Sequence, residues 1–164
     1  MEKYTAIDLF CGAGGLHIGF ENAGFNIKLC VDNNDIVEKT HKRNFPNIPI
    51  INRDINKVTT DEIREYLDDN KVDVIIGGPP CQGFSTIGHR VSSNPEKRNQ
   101  KDPRNELVLT YARIINEIRP KFIVMENVKG ILTLEKGAYL NNVLSILAKA
   151  GYDVEYKLIN MADY

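Results

Sequence analysis

The sequence is poor in features that would settle its class at once. It has only three cysteines in 164 residues, Cys11, Cys30 and Cys81, and three cannot all pair. A disulfide scaffold is excluded, and a reducing cytoplasm is the expected setting. Those cysteines show no CxxC-type spacing, so the sequence gives no reason to expect a metal. No apolar run is long enough to cross a bilayer, and no signal peptide precedes the first apolar segment, so no membrane partner is expected. Neither sign of charge dominates: 21 Lys and Arg stand against 22 Asp and Glu, a formal net charge of -1. A nucleic-acid partner would have to be met by a local basic patch or by another chain. Repeats and internal linkers are lacking too. With 42% hydrophobic and 26% charged residues, the composition is that of one globular domain with a real core, assigned to residues 1–164.

What the chain does have is alternation. Strand-like runs at Tyr4–Phe10, Asn26–Val31, Ile48–Ile51, Val72–Ile76 and Lys121–Asn127 are separated by helical patterns. The helices are expected at Gly15–Ala23, Asn34–Asn44, Thr60–Asp69 (with Thr60 as a possible cap), Glu106–Ile118 and Tyr139–Ala150, the last stopped by Gly151. In the third, Ile63, Tyr66 and Leu67 share a face. In the fourth, Leu107, Tyr111, Ile114, Ile115 and Ile118 form a stripe. Tyr152–Asn160 alternates enough to be a sixth strand near an edge. Repeated β-α units predict an α/β fold with a mostly parallel sheet and helices on both faces. Ligands of such sheets bind beyond the carboxyl ends of the strands.

The chemistry-bearing residues fall at those ends. The first strand runs into "DLFCGAGGL", where Gly12, Gly14 and Gly15 make a tight turn into a helix. Such a turn suits a nucleotide-like ligand lying on backbone amides, although GxGxxG and a phosphate-loop lysine are both missing. Asp32 ends the second strand, where an acidic side chain commonly holds ribose hydroxyls; it could equally cap a helix. Asp54, in "RDI", could accept from the exocyclic amine of adenine or simply form a turn. Together these favour an adenosine-containing cofactor without a pyrophosphate. The fourth strand runs into "GGPPCQGFS". Its prolines stiffen the backbone and its glycines permit close approach, so Cys81 sits on a turn suited to presenting a nucleophile, or is a structural thiol there. The fifth delivers Glu126 and Asn127. A carboxyl ending what is expected to be a buried run, "FIVM", points to function, the alternative being a pairing with Lys129. The long stretch Gln82–Asn105 carries Arg90, Lys97, Arg98, Lys101 and Arg104 against Glu96 and Asp102. A loop of that length in a compact domain is usually functional or disordered.

"DLFCGAGGL", "GGPPCQGFS" and "ENV", in this order, resemble the motifs of the cytosine-5 DNA methyltransferases, with "RDI" and "DPRNELVLTYARII" at the places of shorter motifs. The resemblance covers the whole chain. It implies a Rossmann-like S-adenosylmethionine-dependent methyltransferase fold and S-adenosyl-L-methionine as cofactor. By residue it implies that Phe10 stacks on adenine and the Gly12, Gly14 and Gly15 backbone holds the methionine part. Asp32 would bind the ribose, Asp54 and Ile55 would read the adenine edge, and Pro79 and Leu107 would line the pocket. Asn33 stands where many members have an apolar or aromatic residue. Cys81 would be the thiolate that adds to C6 of cytosine, and Glu126 would hold N3. Pro80, Gln82, Ser85 and Asn127 would form the substrate side, Asn127 mainly by bracing the cysteine loop. The target would be duplex DNA with its cytosine flipped out, and the loop 82–105 would close over it. Members usually continue into a target-recognition region and a final helix. The chain is therefore expected to be the catalytic part of a split or truncated enzyme, complemented by a C-terminal chain, with a restriction-modification system as one setting. A non-catalytic cofactor-binding fragment and a tRNA cytosine methyltransferase are the alternatives.

Overall fold

The structure is a computed structural model that describes residues 3–80 and 106–163. Five strands, β1 (Thr5–Leu9), β2 (Asn26–Asp32), β3 (Ile50–Asn52), β4 (Val74–Gly77) and β5 (Phe122–Met125), form one sheet in the order β3-β2-β1-β4-β5. Every pairing is parallel. Five helices connect or follow them: α1 (Gly15–Asn22), α2 (Asp35–Asn44), α3 (Thr60–Arg64), α4 (Glu106–Ile118) and α5 (Ala138–Lys149). The order reverses about β1, so the carboxyl ends of β1 and its neighbours flank a switch point, where α/β sheets bind ligands.

Alternation along the strands sorts side chains into two cores. Ile7, Leu9, Leu29, Val31 and Ile75 face α3, α4 and α5, packing against Ile63, Val108, Tyr111, Ile114, Ile115, Val143 and Leu147. Ala6, Ile27, Cys30, Val74 and Ile76 face the other way, toward Leu16, Phe20 and Val37 of α1 and α2. The expected two-faced parallel sheet is thus present. Its pairing has one irregularity. Ala6 lies opposite Ile27 and Ile7 opposite Leu29, which leaves Lys28 as an extra residue in β2, a bulge.

Helix ends follow local chemistry. Asn34 caps α2, its side chain accepting from the Ile36 N–H at 2.9 Å. Acidic Asp35 and Glu38 lie in the first turn and His41, Lys42 and Arg43 in the last, as the helix dipole favours. Thr59, not Thr60, caps α3 through the Glu62 N–H at 3.2 Å. That helix stops at Arg64, short of the expected Asp69, so Tyr66 leaves the buried face and is 38% exposed while Ile63 and Leu67 stay in the core. Gly151, at φ 89°, ends α5 as expected. Gly77 is required by close packing: a Cβ there would stand 2.5 Å from the Leu9 carbonyl and 2.8 Å from the Tyr111 ring. Tyr111 is fully buried in that space, its hydroxyl donating to the carbonyls of Val124 (3.0 Å) and Ile75 (3.3 Å).

Two expectations fail at the β5 side. Residues 152–160 form no strand: beyond Tyr152, whose hydroxyl donates to the Pro120 carbonyl at 2.7 Å, Tyr156, Leu158 and Ile159 stay exposed. An alternating sequence becomes a strand only when an edge takes up its N–H and C=O groups, and among the described residues none does. The run "FIVM" is also not a buried strand. Phe122 is 69% and Val124 40% exposed, because α1 and α2 cover the middle of the sheet and not this edge. No helix among the described residues is long and apolar enough to cross a membrane.

Candidate cofactor and catalytic site

Beyond β1 the chain makes a sharp turn over the end of β2. Phe10 adopts φ 65°, a left-handed conformation uncommon for an aromatic residue. The N–H groups of Phe10 and Cys11 both donate to the Val31 carbonyl, at 2.8 and 3.1 Å. Gly14, at φ 95°, starts α1, and a Cβ on it would collide with the His17 ring at 2.7 Å. Asp32 ties the turn to the next loop. Its Oδ2 accepts the Gly12 N–H and its Oδ1 the Asn34 N–H, both at 3.0 Å. A carboxylate has about four lone-pair sites, so two remain for a ligand diol. Asp54 orders the neighbouring loop, its Oδ1 accepting the Asn56 N–H at 3.0 Å.

These loops enclose a pocket of about 260 Å³. Of the expected cofactor residues, Phe10, Asp32, Asp54, Ile55 and Leu107 line it, together with Asn33 and Pro80. Gly12, Gly14, Gly15 and Pro79 are not in its wall; Gly12 reaches it through Asp32. Val31, Asn34, Val37, Arg53 and Gly78 line it as well and were not anticipated. Arg53 is held away from simple solvation by Glu62, Nη1 to Oε2 3.0 Å. Its position beside Asp54 was the one available signal. An aromatic face, two carboxylates and an apolar floor suit a nucleoside, and the described walls offer no lysine to a phosphate.

The second half of the site lies where β4 and β5 end side by side. The Glu126 N–H donates to the Gly77 carbonyl at 3.0 Å and extends the ladder by one residue. The Glu126 carboxylate then reaches the backbone of Gly78, with Oε2 only 3.1 Å from where a Cβ would sit. Asn127 Nδ2 donates to the Pro79 carbonyl at 3.2 Å, bracing the segment that runs into the cysteine. Gly78 thus lies in the wall of the first pocket and next to the Glu126 carboxylate at once. Cys81, Gln82 and Ser85, with the loop 82–105, lie outside the described residues. The other two cysteines are core residues, Cys11 at 7% and Cys30 at 0% exposure. The Cys30 thiol is pushed up by its hydrogen bond with Cys11 and by burial, which makes it a poor nucleophile.

With this geometry in hand, comparison with known proteins is specific. The C-5 cytosine-specific DNA methylase family model matches residues 4–164. The chain is 42% identical over 168 residues to the Type II methyltransferase M.XorII of Xanthomonas oryzae pv. oryzae, covering all of this chain and 38% of that one. It is 40% identical over 174 residues to the Type II methyltransferase M.AquIA of Picosynechococcus sp., again along its whole length, and there spans 67% of the relative. Among solved structures, a DNA modification methyltransferase encoded within an E. coli prophage superposes on 90% of the chain with TM-score 0.74 and 32% identity; 38% of that chain is covered. DNMT2 of Spodoptera frugiperda superposes on 90% with TM-score 0.65 and 29% identity, with 41% of it covered.

Proposed function

The chain belongs to the C-5 cytosine-specific DNA methylase family, and on that premise we propose that it carries the cofactor site and the reacting groups of a DNA cytosine-5 methyltransferase. Bound S-adenosyl-L-methionine supplies an electrophilic methyl group on a sulfonium. Phe10, Ile55 and Leu107 give its adenine a dry, partly aromatic wall, and Asp32 and Asp54 give its ribose and amine their acceptors. The observation that carries the reading is the position of the Glu126 carboxylate beside Gly78, which lines that pocket. It joins a carboxyl, a cofactor wall and the approach to Cys81 in one place.

The roles follow from the reactivity of cytosine. C5 is a weak nucleophile until a thiolate adds to C6. Cys81 forms that bond, and the electron pair moves toward N3 and C5. Glu126 holds N3 as charge gathers there. C5 then takes the methyl group, a base removes the C5 proton, and the returning electron pair expels the Cys81 thiolate. Pro80, Gln82, Ser85 and Asn127 make the substrate side. None of this is feasible in a stacked duplex, so the base is flipped out, and the cations of the loop 82–105 meet the phosphates.

Recognition of the target sequence is assigned to polypeptide outside these 164 residues, in a complementing C-terminal chain or a longer form of this one. The support is an apolar groove of about 460 Å³ between Phe20, Phe25, Phe122 and Val124, larger than the candidate cofactor pocket. The test uses duplex DNA containing 5-fluorocytosine, which blocks the final elimination and traps the adduct. With S-adenosylmethionine and the complementing polypeptide, a denaturing gel should show a protein–DNA band that Cys81→Ser removes. Cofactor binding without any adduct in the complemented protein would replace catalysis by a binding role.

A further inference from the structure

Beneath the glycine turn, on the α1 side of the sheet, the core holds an unusual group of polar side chains. Asp8 of β1, His17 of α1 and His41 of α2 are at most 2% exposed. Cys30 of β2 is fully buried beside them. Both Asp8 carboxylate oxygens, His17 Nε2 and His41 Nδ1 are buried with no partner in hydrogen-bonding geometry. Buried polar atoms are nearly always satisfied, so this cluster asks for an explanation. Water is a poor candidate, because the rings pack closely: His17 and Phe45 are 4.3 Å apart edge to face, and His17 and His41 5.6 Å.

The spacing suggests what is missing. His17 Nδ1 lies 3.6 Å from Asp8 Oδ2 and 3.5 Å from Cys30 Sγ. The Asp8 distance is long for an N–H···O bond, the Cys30 distance is in the range of a hydrogen bond to sulfur, and both match the edge of a coordination tetrahedron. Zinc bonds of about 2.0–2.3 Å to O, N and S set ligand-to-ligand edges of roughly 3.3–3.8 Å. All three donor atoms fall within 4.8 Å of one another. Cys11 and His41 form a second trio with the same Cys30 sulfur within the same limit. His41, whose Nδ1 is buried without a partner, is the donor that a side-chain rearrangement toward the first trio would bring to the fourth position.

We propose that Asp8, His17 and Cys30 form a binding site for one zinc-class divalent cation, completed from His41. The charge balance favours it: one carboxylate and one thiolate neutralise a divalent ion, so the filled site places no net charge in the core. The mixed O, N, S donors suit zinc better than magnesium or calcium, which take oxygen. Sequence spacing gave no hint, because the donors come from β1, α1 and β2 and meet only when the sheet forms. The ion would pin α1 to the sheet directly under the turn from Cys11 to Gly14.

The test needs no assay of methyl transfer. In a Cys81→Ala background only Cys11 and Cys30 can supply thiolate. Purified Cys81→Ala protein should hold close to one equivalent of zinc. After removal of zinc by a chelator, cobalt(II) should produce a thiolate-to-metal charge-transfer band in the near ultraviolet. His17→Gln should weaken binding by at least tenfold, and adding Cys30→Ala should abolish the band, with folding checked by circular dichroism. Absence of both bound zinc and a cobalt band in the Cys81→Ala protein itself overturns the proposal, whatever the other variants do. A band that persists in folded Cys81→Ala/Cys30→Ala protein overturns this choice of ligands.

Discussion

Asp32 is the residue whose replacement reports most directly on the cofactor pocket. It joins two loops through one carboxylate, accepting the N–H groups of Gly12 and Asn34 at 3.0 Å each. Hydrogen bonds to a charged acceptor contribute about 1.5–3 kcal/mol, and this site is partly open to water, so the two together should be worth roughly 3 kcal/mol. Asp32→Ala removes both. In a domain of this size each kcal/mol moves the melting temperature by about 2–4 °C, which gives a drop of roughly 6–12 °C. Asp32→Asn keeps one acceptor oxygen but turns an NH2 group toward one of the two N–H donors, so it should fall between. Affinity for S-adenosylmethionine should follow the same order. Loss of one charged acceptor for the ribose, at about 1.5–3 kcal/mol, weakens binding roughly 10- to 150-fold. Isothermal titration calorimetry beside thermal melts separates the two effects. If both variants melt earlier but bind the cofactor as the wild type does, Asp32 only buttresses the loops. If neither melting nor binding changes, the bonding described for it is wrong.

Three further predictions concern the scaffold. Gly77→Ala puts a Cβ 2.5 Å from the Leu9 carbonyl and 2.8 Å from Tyr111, so it should cost about 1–3 kcal/mol or more in urea unfolding. Gly19→Ala, within α1 where nothing lies within 4 Å of the added carbon, should instead stabilise by roughly 0.5–1 kcal/mol. The Lys121 ammonium at 2.7 Å, followed by the Thr5 N–H at 2.7 Å, holds the Asp73 carboxyl below its ordinary value of 3.8. The stability it contributes is complete above that value and is lost as pH falls through the lowered native one. The gap in stability between wild type and Asp73→Asn should therefore be widest near neutrality and shrink below pH 3.8. A gap that is constant with pH would show that the ion pair contributes nothing.

Much of the architecture was legible from local signals. Apolar runs ending in glycine marked β1 and β4, and residues just beyond both ends line the candidate pocket. Asp32 and Asp54 were readable because strand ends in a parallel sheet converge, whatever the side chains do; Leu107, on α4, was placed at the pocket only by the resemblance. Other features depended on partners the sequence does not announce. Residues 152–160 alternate like a strand, but among the described residues no edge takes up their backbone groups, and β5 is apolar without being covered. Arg53 looks like any exposed arginine until the loop carries it to the pocket wall. The Asp8, His17 and Cys30 cluster has no linear signature, since three separate elements bring it together.

The bulge at Lys28 bears on how such chains can vary in length. Remove that residue and the remaining partners, Ala6 with Ile27 and Ile7 with Leu29, already read as an unbroken ladder. Leu29 and Val31 would keep one core, Cys30 the other, and Asp32 its place at the strand end. The local loss would be the ion pair of Lys28 with Asp68. Deleting this residue is therefore nearly silent to the interior, whereas inserting one between Leu29 and Cys30 would turn Cys30 and Val31 to the wrong sides. The count of residues from the glycine turn to the acidic one is an elastic measure, and lineages that differ by one in this interval can still build the same pocket.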